Sequence, residues 1–324
     1  MIKAIAICGP TASGKTALSL RLSRDIPIEI ISLDSMQIYR GMDIGTAKPT
    51  AEERSEIAHH MIDIVSPLEN YSFAKYRESA LVAAEEICKR GRLPVFVGGT
   101  GLYLDSLTRH ISDDVPKSDT GYRERLLKDA DSEQKRIALW ERLREIDPES
   151  AEKIHYNNVK RVIRALEIFE VTGKPKSFFD KESKLAEREI DIKIITLDFH
   201  NRDNLYKRID MRVDEMFSRG LYDEVLSLYR AGLLKEGTTA GAAIGYKEIL
   251  ECINGEGSLD AAKEKIKMSS RRYAKRQLTW YRHIEDRSTV YVDKEDGDVR
   301  KTDDIYREVL GIGRKVYNEA YKGS

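Results

Sequence analysis

The chain has 324 residues, of which 41% are hydrophobic and 34% are charged, and its formal net charge at pH 7 is zero. This length suits about two domains, and the neutral balance excludes nucleic-acid binding through overall charge alone. The apolar run Met1–Cys8 is too short for a signal peptide or a membrane span. Cys8, Cys88 and Cys252 lie far apart without metal-binding spacing. We therefore expect three free, buried thiols in a cytoplasmic protein.

Apolar runs alternate with helical periodicity in the first hundred residues. Three runs, Ile2–Cys8, Pro27–Leu33 and Pro94–Val97, are predicted to be buried strands. The segments Lys15–Arg24 and Ser72–Arg90 are predicted to be helices, the second ending before a glycine. Strands that alternate with helices in this way indicate a parallel sheet covered by helices.

The composition changes after residue 111. Residues 112–189 are charged and helix-rich with no convincing strand, whereas Ile190–Phe199 is again strand-like. Beyond Asp203 the pattern is almost entirely helical, with Val290–Val292 as a last short strand. The predicted fold class is therefore α/β, with a core formed by residues 1–111 and 190–324 and a helical insertion domain at 112–189.

A phosphate-binding motif follows the first predicted strand. The motif G-x-x-x-x-G-K-[ST] is matched by Gly9-Pro10-Thr11-Ala12-Ser13-Gly14-Lys15-Thr16. Backbone N–H groups, a helix N-terminus and the Lys15 charge together bind phosphate, and the Thr16 hydroxyl is a ligand for Mg²⁺. The context predicts a P-loop and places the core among the P-loop NTPase-like folds.

The motif alone does not identify the phosphate compound. An ATPase or kinase usually has a magnesium-linked aspartate at the end of a second strand, but Pro94–Val97 is followed by Gly98-Gly99-Thr100. Asp34 instead follows the strand Pro27–Leu33, and we expect it one strand from the P-loop at the ligand-facing sheet edge. From position alone, Asp34 is either a proton acceptor or Mg²⁺ partner, or a turn or cap residue.

Seven segments, in order, resemble the tRNA dimethylallyltransferase family over Ile5 to Arg282. They are Gly9–Thr16, Asp34–Pro49, His59–Asp63, Val97–Tyr103, Arg164–Glu167, Ala243–Glu248 and Ala274–Trp280. The resemblance implies transfer of a dimethylallyl group from dimethylallyl diphosphate to N6 of adenosine 37 in tRNA, next to the anticodon. It further implies that the adenine leaves the anticodon-loop stack and meets the donor in a channel.

The resemblance also assigns roles at matching positions. Gly9–Thr16 hold the departing diphosphate, with Lys15 as a catalytic cation and Thr16 as a ligand for Mg²⁺, the one expected cofactor. Asp34 matches the proposed general base, and Thr100 matches a hydroxyl that orients the amine. Arg208 and Arg212, four residues apart on one predicted helix face, either add charge to the diphosphate site or form a solvated basic face.

The predicted tRNA contacts combine family positions with local charge. Lys263–His283 is a basic segment with only Glu264 opposing it and with interleaved aromatic residues. It either binds RNA or is a packed helix with a solvated basic side. The chain departs from the family pattern at Pro116–Gly121, which bears on the placement of Arg123. The residues expected to contact the anticodon stem-loop are Asp34, Ser35, Met36, Gln37, Thr100, Arg123, Lys160, Arg161, Arg164, Arg272, Lys275 and Arg276.

Three other functions fit parts of the sequence. A kinase of the same fold would move a phosphoryl group from ATP without RNA, and a second alternative would prenylate free adenine nucleotides. A third would bind RNA and only sense a nucleotide at the P-loop. His59 and His60 lack further ligands at metal spacing and are predicted to be structural. No coiled-coil seam is evident, so we expect a monomer with no membrane partner.

Overall fold

The computed structural model describes residues 1–108, 120–185, 188–235 and 237–323. The chain divides into two compact units, Met1–Thr108 with Glu189–Ser324 and Arg109–Arg188. The predicted start of the insertion, between residues 111 and 112, lies outside the described residues, as does most of Pro116–Gly121. No helix in the described ranges is long and apolar enough to cross a membrane.

The larger unit contains a six-stranded sheet in the order β3-β2-β4-β1-β5-β6, and every neighbouring pair is parallel. The central strand β1 is fully buried from Ala4 to Cys8, as its continuous apolar sequence predicts. The strands are β1 (Ile2–Cys8), β2 (Ile28–Leu33), β3 (His59–His60), β4 (Leu93–Gly98), β5 (Ile190–Asp198) and β6 (Arg287–Tyr291).

The order of the strands brings three loops together at one edge. Gly98 of β4 pairs with both Cys8 of β1 and Leu33 of β2, so these three strands end in register. The expectation that Asp34 lies one strand from the P-loop was wrong, because β4 lies between β1 and β2. The segment that starts at Gly99 therefore lies between the P-loop and Asp34.

Helices cover both faces of this sheet. Helix α3 follows the N-cap Ser72 and buries Tyr76, Ala80, Ala84 and Ile87, which share one face. The helices of the larger unit are α1 (Lys15–Leu22), α2 (Ala51–Glu56), α3 (Phe73–Lys89), α4 (Gly101–Thr108), α10 (Arg202–Ser218), α11 (Leu221–Arg230), α12 (Tyr246–Ile253), α13 (Leu259–Arg282) and α14 (Thr302–Tyr321). Those of the smaller unit are α5 (Thr120–Lys128), α6 (Glu133–Ile146), α7 (Pro148–Lys153), α8 (Val159–Thr172) and α9 (Lys176–Leu185).

Separate apolar cores form on the two sheet faces. One contains side chains of α1, α10, α13 and α14, and the other contains side chains of α3 and α4. A third core joins α10, α11, α12 and α13 to the loop after β2 through Tyr39 and Met42, which are both 0% exposed. This third core fixes the loop that begins at Asp34 against the C-terminal helices.

All regular secondary structure in the described residues of the smaller unit is helical, from α5 to α9. Its core centres on Leu143, Val162, Ile163 and Leu166. The Asp147 carboxylate caps α7 by accepting the Ser150 N–H at 3.1 Å, and it also accepts the Ser177 N–H at 2.9 Å. These contacts tie α7 to the start of α9.

The structure differs from the predicted elements at one helix end and in three short elements that were not predicted. Helix α1 ends at Leu22 instead of Arg24, because the N–H groups of Arg24 and Asp25 bond to carbonyls only three residues back, in place of the four-residue spacing of an α-helix. Helix α2 and strand β3, with 6 and 2 residues, are too short to show a period. Helix α4 was missed because Gly98-Gly99-Thr100 was interpreted only as the end of a strand.

Candidate active site

The loop between β1 and α1 has the backbone of an anion-binding turn. Gly9 and Gly14 have φ of 151° and 95°, and Ala12 also has a positive φ, of 63°. A Cβ atom on Gly9 would lie 2.8 Å from the Leu197 carbonyl oxygen. Glycine at position 9 is therefore required both by conformation and by the close approach of β5.

Lys15 lies inside this loop at the first turn of α1. Its ammonium group donates to the carbonyls of Gly9 at 3.0 Å and Pro10 at 2.7 Å. Burial, with a smaller contribution from the charge of Arg212, lowers the pKa of Lys15 to about 8, although the charge of Asp34 partly opposes the shift. The loop thus holds a desolvated cation that an incoming diphosphate would neutralise.

Arg208 and Arg212 project from α10 toward the same loop. Arg208 donates from Nε to the Ala12 carbonyl at 2.9 Å, and a Cβ atom on Gly14 would lie 3.4 Å from Arg208 Nη2. Burial lowers the pKa of both arginines, and the charge of Asp34 partly opposes this for Arg212. The face of α10 that carries them therefore lies at the P-loop and is not a freely solvated face.

Asp34 begins a tight turn at the end of β2. Its Oδ1 accepts the Met36 N–H at 2.8 Å, so the turn role considered from sequence is present. The next N–H, that of Ser35, donates to Thr100 Oγ1 at 3.1 Å. Oδ1 is thus held by the backbone, and the carboxylate lies close enough to influence Lys15 and Arg212.

Tyr273 of α13 completes the polar cluster. Burial, with a smaller contribution from the charge of Asp34, raises its pKa to about 12, although a hydrogen bond with Thr100 partly opposes the shift. The phenol is therefore a neutral hydrogen-bonding group near neutral pH. The structure brings Asp34, Thr100, Lys15, Arg208 and Arg212 to one edge of the sheet.

The predicted RNA contact Gln37 has its amide bound within the protein. Its Oε1 accepts the Ser32 hydroxyl at 2.7 Å, and its Nε2 donates to the carbonyls of Thr46 at 3.3 Å and Ala47 at 3.2 Å. Gln37 thereby joins the turn after Asp34 to the segment that follows it. A contact between Gln37 and RNA remains a prediction.

Sequence reasoning missed two anchors of this segment. Lys48, with 2% of its side chain exposed, donates to Asp43 at 2.7 Å, to Asp63 at 2.5 Å and to the Tyr39 carbonyl at 2.6 Å. Glu224 accepts the backbone N–H groups of Asp43, Ile44 and Gly45 at 2.7–3.2 Å. Lys48 lies in a segment that supports the family resemblance, which was a signal for its role, whereas Glu224 had none.

The basic helix α13 divides into a neutralised part and an exposed part. Asp214 pairs with Lys263 and Lys267, and Asp210 binds Arg271 with both oxygens at 2.7–2.8 Å. The acids that neutralise these cations lie on α10, outside the basic segment, which itself contains only the acid Glu264. Within the described residues no ion pair reaches the exposed side chains Arg272, Lys275 and Arg276.

The interleaved aromatic side chains of α13 turn inward. Tyr281 is 2% exposed, and a Cβ atom on Gly101 would lie 2.4 Å from the Trp280 ring. Tyr281 belongs to the core that contains α3 and α4, and Trp280 packs against the start of α4. These contacts match the packed-helix alternative for this part of α13, and RNA contact by the segment remains a prediction.

In the smaller unit, two predicted RNA contacts share a buried partner. Arg123 and Arg164 each lie 2.7 Å from the Glu167 carboxylate, whose side chain is 0% exposed. Both arginines compensate a buried charge, which is costly to leave unpaired. Lys160 and Arg161 are exposed. RNA binding by the four residues remains a prediction.

The two histidines considered from the sequence have partners within the protein. His59 Nδ1 lies 2.9 Å from the Ile57 carbonyl, and His60 Nε2 lies 2.7 Å from Glu29. Of the three free cysteines only Cys8 is buried, whereas Cys88 and Cys252 are partly exposed, contrary to expectation. No cluster of three or more metal-binding side chains occurs among the described residues.

The parallel sheet and the loop Gly9–Thr16 define the class as a P-loop α/β enzyme fold. The family model described as IPP transferase matches residues 37–284, and that described as isopentenyl transferase matches residues 2–70. This chain belongs to the tRNA dimethylallyltransferase family. The family resemblance, the fold class and the assignment as a prenyl-transferring enzyme are thereby confirmed.

Individual relatives are similar to this chain in sequence or structure over most of its length. The tRNA dimethylallyltransferase of Acetivibrio thermocellus is 47% identical over 316 residues, which cover 96% of this chain and 99% of that protein. The tRNA isopentenylpyrophosphate transferase structure from Bacillus halodurans has a TM-score of 0.70 and 40% identity, with 99% of both chains covered. A eukaryotic dimethylallyltransferase acting on tRNA has a TM-score of 0.77 and 31% identity over 90% of this chain and 74% of that one.

Proposed function

We propose that this enzyme transfers the dimethylallyl group of dimethylallyl diphosphate to N6 of the adenosine at position 37 of tRNA, next to the anticodon. The observation that carries the proposal is the convergence of two groups at one sheet edge. A cationic diphosphate-binding loop and the Asp34 carboxylate flank the end of β4 and the segment after it, which contains Thr100.

In this proposal the P-loop stabilises the leaving group. The N–H groups of the loop, Lys15, Arg208 and Arg212 offset the negative charge that develops on the diphosphate as the C–O bond breaks. The Thr16 hydroxyl and the diphosphate oxygens suit Mg²⁺, which prefers oxygen ligands and commonly bridges protein and phosphate. Bound there, Mg²⁺ would add further positive charge at the departing oxygen.

The acceptor amine needs a different environment. N6 of adenine is a poor nucleophile, and its attack on the allylic carbon forms a C–N bond while one N–H proton is lost. Asp34 accepts this proton, and the Thr100 hydroxyl orients the amine. The bond of Asp34 Oδ1 to the Met36 N–H, at 2.8 Å, fixes the carboxylate before the substrate arrives.

The end of β4 argues against phosphoryl transfer. Gly98-Gly99-Thr100 carries no carboxylate at the position where kinases and ATPases usually place the magnesium-binding aspartate. In prenyl transfer the departing diphosphate needs stabilisation of its negative charge, but no γ-phosphate has to be activated for transfer. This difference favours prenyl transfer over the kinase alternative.

A single incubation separates the alternatives. Purified enzyme is mixed with Mg²⁺, dimethylallyl diphosphate, ATP, AMP and unmodified tRNA, and the products are weighed after nuclease digestion. Our proposal predicts a dimethylallyl gain on one tRNA adenosine and release of diphosphate. ATP consumption supports a kinase, prenylated AMP supports a nucleotide prenyltransferase, and tRNA binding without any product supports an RNA-binding module.

A further inference from the structure

Gln277 of α13 connects two loops that come from different strands. Its Oε1 accepts the backbone N–H of Thr11 in the P-loop at 2.9 Å, and its Nε2 donates to the Gly99 carbonyl at 2.9 Å. The side chain is 7% exposed, so each contact replaces a hydrogen bond to water. One side-chain amide therefore fixes the P-loop against the segment that carries Thr100.

The space around this amide is closely fitted. A Cβ atom on Gly99 would lie 2.1 Å from Gln277 Nε2, whereas the nearest backbone atom, Gly9 O, would be 3.5 Å away. Gly99 does not have a positive φ, so its lack of a side chain is explained by this contact and not by backbone conformation. Glycine at position 99 allows the amide of Gln277 to sit between the two loops.

We infer that Gln277 is a positioning residue that aligns the diphosphate-binding loop with the Thr100 segment for prenyl transfer. The inference rests on the proposed function for its catalytic part. Gln277 lies directly beside the exposed Arg276 on α13, but its own side chain points to the two loops. Its loss is therefore expected to affect donor binding and turnover and not RNA affinity.

The first test replaces the amide with an apolar side chain of similar length. Gln277→Met is compared with Gln134→Met, which makes the same change at an exposed position of α6. We expect Gln277→Met to weaken binding of inorganic pyrophosphate and to lower kcat, each by roughly tenfold, because the Thr11 N–H loses its partner. Affinity for unmodified tRNA is expected to stay at the wild-type value.

The second test uses the contact with Gly99. Gly99→Ala leaves Gln277 in the sequence but displaces its amide, so it should reproduce both losses. In a Gln277→Ala background the added methyl group has room, and Gly99→Ala should cost little more. Strongly non-additive losses support a shared contact, since independent positions give additive free energies.

Wild-type pyrophosphate binding in Gln277→Met, fully additive losses in the double variant, or a selective loss of tRNA affinity would each overturn the inference. If Gln277→Met does not unfold cooperatively, Gly99→Ala supplies the same test. The pyrophosphate measurement needs no tRNA. Failure of the wild-type enzyme to prenylate tRNA would therefore contradict the proposed function and leave the pyrophosphate result to decide the role of Gln277 in the loop.

Discussion

Asp34 and Met36 form the contact that fixes the candidate base, because Asp34 Oδ1 accepts the Met36 N–H at 2.8 Å. An oxygen held in this way cannot turn freely toward solvent, and the carboxylate lies where it influences the cations Lys15 and Arg212. The same side chain thus shapes the turn and faces the charged loop. The turn role and the base role can be separated by a substitution that keeps only the first.

Asp34→Asn is that substitution. Its amide oxygen still accepts the Met36 N–H, so we expect wild-type thermal stability and tRNA affinity. Turnover should fall by roughly 10²–10⁴-fold, the usual value of general base catalysis. Single-turnover kinetics with saturating tRNA and donor measure this effect, and a rate near that of the wild type would remove Asp34 from the mechanism.

Arg212→Gln tests the charge supplied by α10. The arginine is half-buried beside the P-loop, and the substitution removes a cation that a diphosphate would bind. We expect the KM for dimethylallyl diphosphate to rise by roughly tenfold or more, with the KM for tRNA unchanged. Arg202→Gln, at the exposed start of the same helix, is the control. Equal KM values for Arg212→Gln and the control would show that Arg212 is not part of the donor site.

Glu224→Ala tests the anchor of the loop after Asp34. It leaves three backbone N–H groups without their acceptor, and we expect a loss of about 1–3 kcal/mol in the free energy of unfolding. Asp223→Ala removes a neighbouring exposed acid from the same first turn and should cost much less. Urea unfolding of both variants gives the comparison, and equal losses would show that Glu224 is not a structural anchor.

The exposed cations of α13 should govern the salt dependence of tRNA binding. Replacing Arg272, Lys275 and Arg276 with glutamine should lower the slope of log affinity against log salt by about 0.7–0.9 for each RNA phosphate that the variant no longer neutralises. Replacing Lys263 and Lys267, which Asp214 already neutralises, should change the slope less. Filter binding at several salt concentrations measures both slopes. If both sets of substitutions changed the salt slope equally, the division of α13 into a neutralised part and an exposed part would be contradicted.

Acid sensitivity should depend on Glu29. Burial acts to raise the pKa of this carboxyl, but hydrogen bonds from Arg90 and His60 outweigh it and lower the pKa below its ordinary value of 4.5. The folded pKa is therefore below the unfolded one, so the stabilisation is present above pH 4.5 and is lost as pH falls through the folded pKa. Glu29→Gln should be less stable at pH 7 and should lose less stability between pH 5 and pH 3. An unchanged acid slope would contradict this assignment.

Much of the fold follows from local pattern. The strands β1, β2 and β4 and the helix α3 appear in the sequence as apolar runs or helical periods with clear boundaries. The order of strands across the sheet does not, because no local pattern specifies that β4 lies between β1 and β2. As a result, the strand that lies between Asp34 and the P-loop was not foreseen, although the place of Asp34 at the end of a strand near this loop was correct.

The candidate site was predictable only where a motif carries the chemistry. Gly9–Thr16 are recognisable by their spacing, and Asp34 and Thr100 by resemblance. Glu224 and Gln277 act through contacts across 179–181 and 178–266 residues, respectively, and such long-range partners leave no mark on local sequence. Similarly, the acids that neutralise part of α13 lie on α10 and were not visible from the charge of α13 alone.

A crystal structure with an unmodified anticodon stem-loop and a non-hydrolysable thio-analogue of dimethylallyl diphosphate tests the central claim most directly. We expect the diphosphate to lie within Gly9–Thr16 and N6 of the unstacked adenine to form a hydrogen bond with Asp34. A diphosphate bound elsewhere, or an adenine whose N6 lies away from Asp34, would contradict this claim.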